Sequence, residues 1–132
     1  LFIHMAILYL LDNENETIEV SIFETKKHGV PVKKYFEKLC LRELTTLRGR
    51  IDAIKKIYQY KYNVPVYINR ELIFFKIRSD KTYWINAVQV TGIIKQEKGA
   101  NLTFKNGNVL KTNLSYRSLF NSYKKAMRIL EE

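Results

Sequence analysis

Between Asn63 and Asn86 the chain threads Arg70, Lys76, Arg78 and Lys81 among Val, Ile, Tyr, Phe and its only tryptophan, with Lys61 just before. Cationic groups at this density suit polyanions. Arginine forks bind phosphates bidentately and also fit the deep negative potential of a narrow A·T-rich minor groove. Arg48 and Arg50 flank Gly49, where backbone and guanidinium could both approach a phosphate, and Lys55 and Lys56 follow. Any one of these charges reads equally well as a solvated surface group; the whole set is harder to explain that way. Arg48, Arg50, Lys61, Arg70, Arg78 and Lys81 are therefore the candidate DNA contacts. Tyr60, Tyr62, Tyr67 and Tyr83 interleave with them. These rings suit base stacking in a single-strand binder, or cross-strand packing in a sheet.

Catalytic chemistry finds less support. The chain has no glycine-rich phosphate loop, nucleophile elbow or HExxH. Asp12 and Glu24-Thr25-Lys26 form a D…E-x-K spacing of the kind that holds a divalent metal in nucleases, but residues this common meet it by chance, and Asp12 falls in a turn. Cys40 lies on an apolar helical stripe and reads as a small buried hydrophobe. With only two histidines and one cysteine, no His/Cys set exists for zinc or an iron–sulfur cluster. The expectation is a non-enzyme with no catalytic, cofactor-binding or metal-ligating residues.

The elements that would carry the cations follow from periodicity. Met5–Leu11 and Thr17–Phe23 are β-prone runs joined by the polar Asp12–Glu16, a hairpin. Lys26–Gly29 then breaks the pattern. Pro31 opens a helical stripe through Phe36, Leu39, Cys40, Leu44, Leu47, Ile51, Ile54 and Tyr58, with a kink or short break expected after Leu47, near Gly49. Asn63–Asn86 predicts two or three adjacent strands, and Ala87–Gln96 another β-branched run broken by Gly92. Asn106-Gly107 centres a second hairpin, and Ser115 caps a final helix. The class is α+β in one domain: a hairpin, a long kinked helical segment, an antiparallel sheet and a C-terminal helix.

At 132 residues the chain buries roughly two-thirds of its unfolded surface without disulfides or metals. His4-Met5 reads as a vector junction with a native start at Met5, so the domain is expected to span 5–132. No run reaches the length of a membrane span, and Leu1–Leu11 lacks the basic lead-in and cleavage site of a signal peptide. With one thiol, a reducing cytoplasm is the expected location. Charge is placed unevenly: the first 25 residues hold five acids and no Lys or Arg, while the rest hold all 23 basic residues against 8 acids. Such a body favours nucleic acid first and an anionic membrane surface second. No helix-turn-helix fits the spacing around Gly49.

Several stretches, in this order, resemble the ComK competence transcription factors of low-GC Gram-positive bacteria. Cys40–Arg50 is similar to the family's segment with Cys, Gly-Ser-Ser and Gly-Arg, Leu44 standing for the first glycine and Thr45-Thr46 for the serines. Val64–Ile68 resembles its Pro-Ile-x-Ile strand, Ile73–Phe75 its apolar run, Trp84-Ile85 its Trp-Ile, Phe104–Gly107 its Phe-x-Asn-Gly, and Ser115 the serine before the last helix. The chain departs from the pattern at Lys76, where the family has proline, and at Asn63, where lysine is usual. It also lacks the N-terminal lead and C-terminal tail of longer members. The resemblance implies a bacterial, sequence-specific activator of DNA-uptake genes. It would bind A/T-rich double-stranded DNA through the minor groove as a homodimer or higher homo-oligomer, without membrane or cofactor and with a regulatory protein as a further partner. Tyr83–Leu130 is also similar to the end of LytTR DNA-binding domains, which again implies duplex DNA. The alternatives are a single-stranded DNA or RNA binder, a non-catalytic partner of a ComK-type regulator and, last, a Mg-dependent nuclease.

Overall fold

The computed structural model describes residues 7–131, so the reading of Leu1–His4 as vector-derived lies outside the described residues. Strands β1 (Ile7–Asn13) and β2 (Glu16–Ser21) form the expected hairpin. Thr25–His28 continues as a third strand, β3, where a break in pattern was expected. Periodicity missed β3 because it is a short, exposed edge strand of polar residues, whose order comes from the β2 backbone and not from apolar burial.

Helices α1 (Val32–Arg42) and α2 (Leu47–Tyr58) make up the kinked helical segment. The break lies at 43–46 and not at Gly49, because local chemistry outweighs the glycine's helix cost. Leu44 adopts φ 59°, and the Thr46 hydroxyl caps α2 by accepting from the Gly49 N–H at 3.0 Å. Leu44 is 95% exposed, so its side chain gains nothing that offsets a left-handed backbone. Replacing Leu44 by glycine is expected to stabilise the fold by about 0.5–1 kcal/mol, the balance of αL relief against glycine's unfolded-state entropy. A urea midpoint that does not rise would show that the corner is unstrained.

Strands β4 (Val66–Asn69), β5 (Leu72–Arg78) and β6 (Thr82–Asn86) follow, and the six strands form one antiparallel sheet in the order β3-β2-β1-β6-β5-β4. After a 3₁₀ turn at Ala87–Gln89 come β7 (Val90–Lys95), β8 (Ala100–Phe104) and β9 (Val109–Lys111), a second, three-stranded sheet. Gly92 sits at a register shift in the β7–β8 ladder, and Gly107 turns the second hairpin at φ 91°. Helix α3 (Tyr116–Met127) starts at Ser115, whose hydroxyl accepts from the Ser118 N–H at 3.1 Å.

The large sheet is covered on both faces, which is why β5 reads as a nearly continuous apolar run. Leu72 and Phe74 pack with Phe36, Leu39 and Cys40 of α1, while Ile73, Phe75 and Ile77 pack with Phe104, Leu119 and Ala126 on the other side. A bulge between Ile7 and Tyr9 shifts β1 by one residue, so Leu8 joins the second core while Ile7 and Leu10 stay in the first. Two buried polar groups tie these layers together. The Glu19 carboxylate accepts from the Tyr35 hydroxyl at 2.7 Å and lies 2.8 Å from His28 Nε2, linking β2, β3 and α1. Asn86, fully buried, bonds four backbone groups from four segments. Cys40 is fully buried, and burial pushes its thiol pKa up, the nearby Arg50 charge opposing the shift. It behaves as the core hydrophobe its stripe predicts.

Candidate nucleic-acid interface

Strand β4 is shorter than β5, and this difference creates the site. Their ladder begins at Val66↔Phe74, so β5 from Phe75 to Arg78 runs on with β6 on one side and no strand on the other. The Ile73 N–H turns to the Asn86 side chain on the β6 side. By strand alternation the main-chain groups of Lys76 and Arg78 turn toward the open edge.

Two elements flank this edge. Helix α3 is anchored by Leu119 and Ala126, and its Ser118 and Ser122, one turn apart, line up beside β5. The 59–65 segment, with left-handed Gln59 and Asn63, is clamped to the end of α3. The Tyr60 hydroxyl donates to the Lys125 carbonyl at 3.0 Å, the Lys125 ammonium donates to the Tyr62 carbonyl, and the same ammonium sits 4.7 Å over the Tyr60 ring. Burial lowers the Lys125 pKa accordingly. The result is a cleft of about 450 Å³ lined by Asn63, Lys76, Ile77, Arg78, Leu114, Ser118 and Ser122.

The six candidate cations divide between the two ends of β5. Arg78 is in the cleft, Lys61 lies two residues before Asn63, and Lys81 occupies the β5–β6 turn. That turn is held in place: the Ser79 hydroxyl donates to Asn113 Oδ1 and accepts from the Asn113 N–H, and the Tyr83 hydroxyl donates to Asp80 at 3.1 Å. Burial first, and then the Asp80 bond, pushes the Tyr83 pKa up to about 12. Arg70 lies in the β4–β5 turn at the other end of the strand, about 20 Å away along six residues. Arg48, on the first turn of α2, belongs to that end, since Arg50 on the same turn donates to the Ile68 carbonyl of β4 at 3.0 Å.

Arg50 itself does not face outward with the others. Its guanidinium is taken up by Ile68 and by the Tyr67 ring 5.0 Å below, so packing holds the fork that sequence assigned to phosphate. Three of the four interleaved tyrosines are also structural: Tyr60 and Tyr67 as above, and Tyr83 in the core. Tyr62 is 78% exposed. Lys76, Asn63, Ser118 and Ser122 were not among the candidates. The i, i+2 spacing of Lys76 and Arg78 on one strand and the i, i+4 spacing of the serines were the available signals. Nothing in sequence said that the main chain of β5 and the serines of α3 would line one cleft.

Charge in this region is poorly neutralised. The ion pairs among the described residues include Lys26–Glu24, His28–Glu19 and Lys34–Glu37, and none of these involves a residue lining the cleft. The D…E-x-K spacing does not assemble: Asp12 pairs with Thr17 at one end of the β1–β2 ladder, and Glu24 follows Ser21 at the other. Among the described residues no group of three or more His, Cys, Asp or Glu is placed to hold a metal ion, and no helix is long and apolar enough to cross a membrane.

No curated protein and no solved structure matches the chain. A family model described as ComK protein matches residues 4–131. That match covers nearly the whole chain, so the motifs from Cys40 to Ser115 and the basic edge of β5 belong to a member of the ComK family of competence transcription factors.

Proposed function

We propose that this chain is a double-stranded DNA-binding transcription regulator acting in the bacterial cytoplasm, with A/T-rich sites read through the minor groove and a homodimer or higher homo-oligomer as the binding unit. Family membership over residues 4–131 carries this reading. The unpaired cations at both ends of β5 support it, since Arg48 and Arg70 at one end and Lys61, Arg78 and Lys81 at the other are spaced about 20 Å apart, roughly six base pairs along one strand. Arginines suit a narrow A·T groove because its potential is most negative there. A single-strand reading has less support, because packing occupies three of the four tyrosines that stacking would use.

An anisotropy titration against A/T-rich and G/C-rich duplexes tests the reading. The A/T duplex is expected to bind at least about tenfold more tightly, with a log–log salt slope steeper than about −3 for five phosphate contacts. Equal affinities, or a slope near zero, would overturn it.

A further inference from the structure

We propose that the open edge of β5 is a strand-addition site for an acidic, extended segment of a partner protein. Pro65 and the left-handed Asn63, at φ 48°, keep the chain out of the ladder until Val66 meets Phe74. The place that a longer β4 would have filled beside Lys76–Arg78 is the cleft of about 450 Å³. The main-chain N–H and C=O groups of Lys76 and Arg78 turn toward it, and among the described residues no other segment bonds to them. Backbone donors and acceptors seek partners wherever water is displaced, and an extended chain laid beside β5 meets those of both residues at once.

The two faces of this edge set the sequence of the incoming strand. Lys76 and Arg78 project on the Trp84 face, where the Lys76 ammonium rests 5.8 Å over the indole ring. Both are exposed, and neither has a carboxylate partner among the described residues. Ile77 projects on the opposite face, toward α3, where Leu114, Ser118 and Ser122 line the cleft. Residues directly opposite in a ladder share a face, and opposite charges there are favourable. The matching strand therefore carries acids opposite Lys76 and Arg78 and a small residue opposite Ile77, in the order acid, small, acid. A second copy of this edge does not match, since pairing it with itself sets basic residues against basic ones. The edge of another sheet does not fit either. Helix α3 and the 59–65 segment, clamped together through Tyr60 and Lys125, border the cleft and leave room for a single chain. That clamp makes the slot preformed, which lowers the ordering cost of binding.

The test uses the ¹⁵N-labelled full chain, without DNA, and the blocked peptide acetyl-Thr-Glu-Val-Glu-Thr-amide. Amide resonances of Lys76, Ile77 and Arg78 are expected to shift saturably, and solvent exchange of the Lys76 and Arg78 amides to slow. N-methylation of both glutamates removes their donors and keeps the charge; it is expected to weaken binding about tenfold or more. The isomer acetyl-Glu-Glu-Val-Thr-Thr-amide, equal in charge but not alternating, is expected to lose a similar factor. Lys76→Glu/Arg78→Glu, at exposed positions, is expected to reject the glutamate peptide and to take acetyl-Thr-Lys-Val-Lys-Thr-amide instead. If the N-methylated or rearranged peptide binds as well as the first, the surface attracts charge alone and strand addition is overturned. An absence of shifts at the β5 edge with every peptide overturns it too. So do shifts of those amides with protein concentration and no peptide, which would assign the edge to a second copy. Each of these failures leaves the DNA reading standing, because no step of the titration involves a duplex.

Discussion

Asn86→Ala is expected to remove about 3–4 kcal/mol of stability, seen as a lower urea midpoint with an unchanged m-value. The Asn86 carboxamide donates to the Ile7 carbonyl at 2.8 Å and the Glu71 carbonyl at 3.0 Å, and accepts from the Ile73 and Val88 N–H groups at 3.2 and 3.3 Å. Alanine would leave these backbone groups, two of them buried and two part-buried, without their partner, at about 1 kcal/mol apiece. Against a total of about 5–15 kcal/mol for a domain, that is a large fraction. The isosteric Asn86→Asp separates hydrogen bonding from packing. It keeps the volume but turns a carboxylate toward two carbonyl oxygens, so the introduced group's folded-state pKa is raised. Its neutral form is the better tolerated, so stability should rise as pH falls toward 4 and be lost as pH rises through the folded pKa. An alanine variant within about 1 kcal/mol of wild type would mean that the segments meeting at Asn86 hold together without it.

The second large effect concerns charge and leaves the fold unchanged. Lys61→Ala/Arg78→Ala/Lys81→Ala is expected to weaken binding to an A/T-rich duplex by roughly a hundredfold near physiological salt, taking about 1 kcal/mol per exposed contact. The salt slope should shallow by about 2–3, since each lost phosphate contact removes roughly 0.9. These exposed side chains make no ion pair among the described residues, so thermal stability should hold. Arg48→Ala/Arg70→Ala, at the other end of β5, should shallow the slope by about 1–2. Arg50→Ala supplies the contrast: it breaks the bond to Ile68 and the contact with Tyr67, so it should lower stability and leave the slope alone. If the triple variant keeps the wild-type slope, the duplex does not lie along this edge.

The α+β class, both hairpins, the Ser115 cap and the burial of Cys40 were legible because each depends on periodicity or turn chemistry within a few residues. Ser115 caps α3 through Ser118, three positions on, and Asn106-Gly107 turns a hairpin wherever it stands between β-prone runs. The helical break was legible as an event and misplaced in position. Gly49 carries the obvious propensity signal, whereas Thr46 and the left-handed Leu44 act through side-chain capping and backbone strain. Strand β3 escaped because its stability comes from pairing with β2.

The stretch Asn63–Asn86 shows the same division most clearly. Its alternation and aromatic content sufficed to predict strands, and its cations sufficed to predict a taste for phosphate. Which cations are free was not legible, because Arg50 and Arg78 are chemically alike and differ only in what folds against them. Arg50 meets Ile68 and Tyr67, and Arg78 meets an edge that β4 is too short to cover. The cleft depends on that shortfall and on a helix more than thirty residues further along the chain. Local sequence carries charge and propensity; only long-range packing decides which groups remain unpaired and which of them converge.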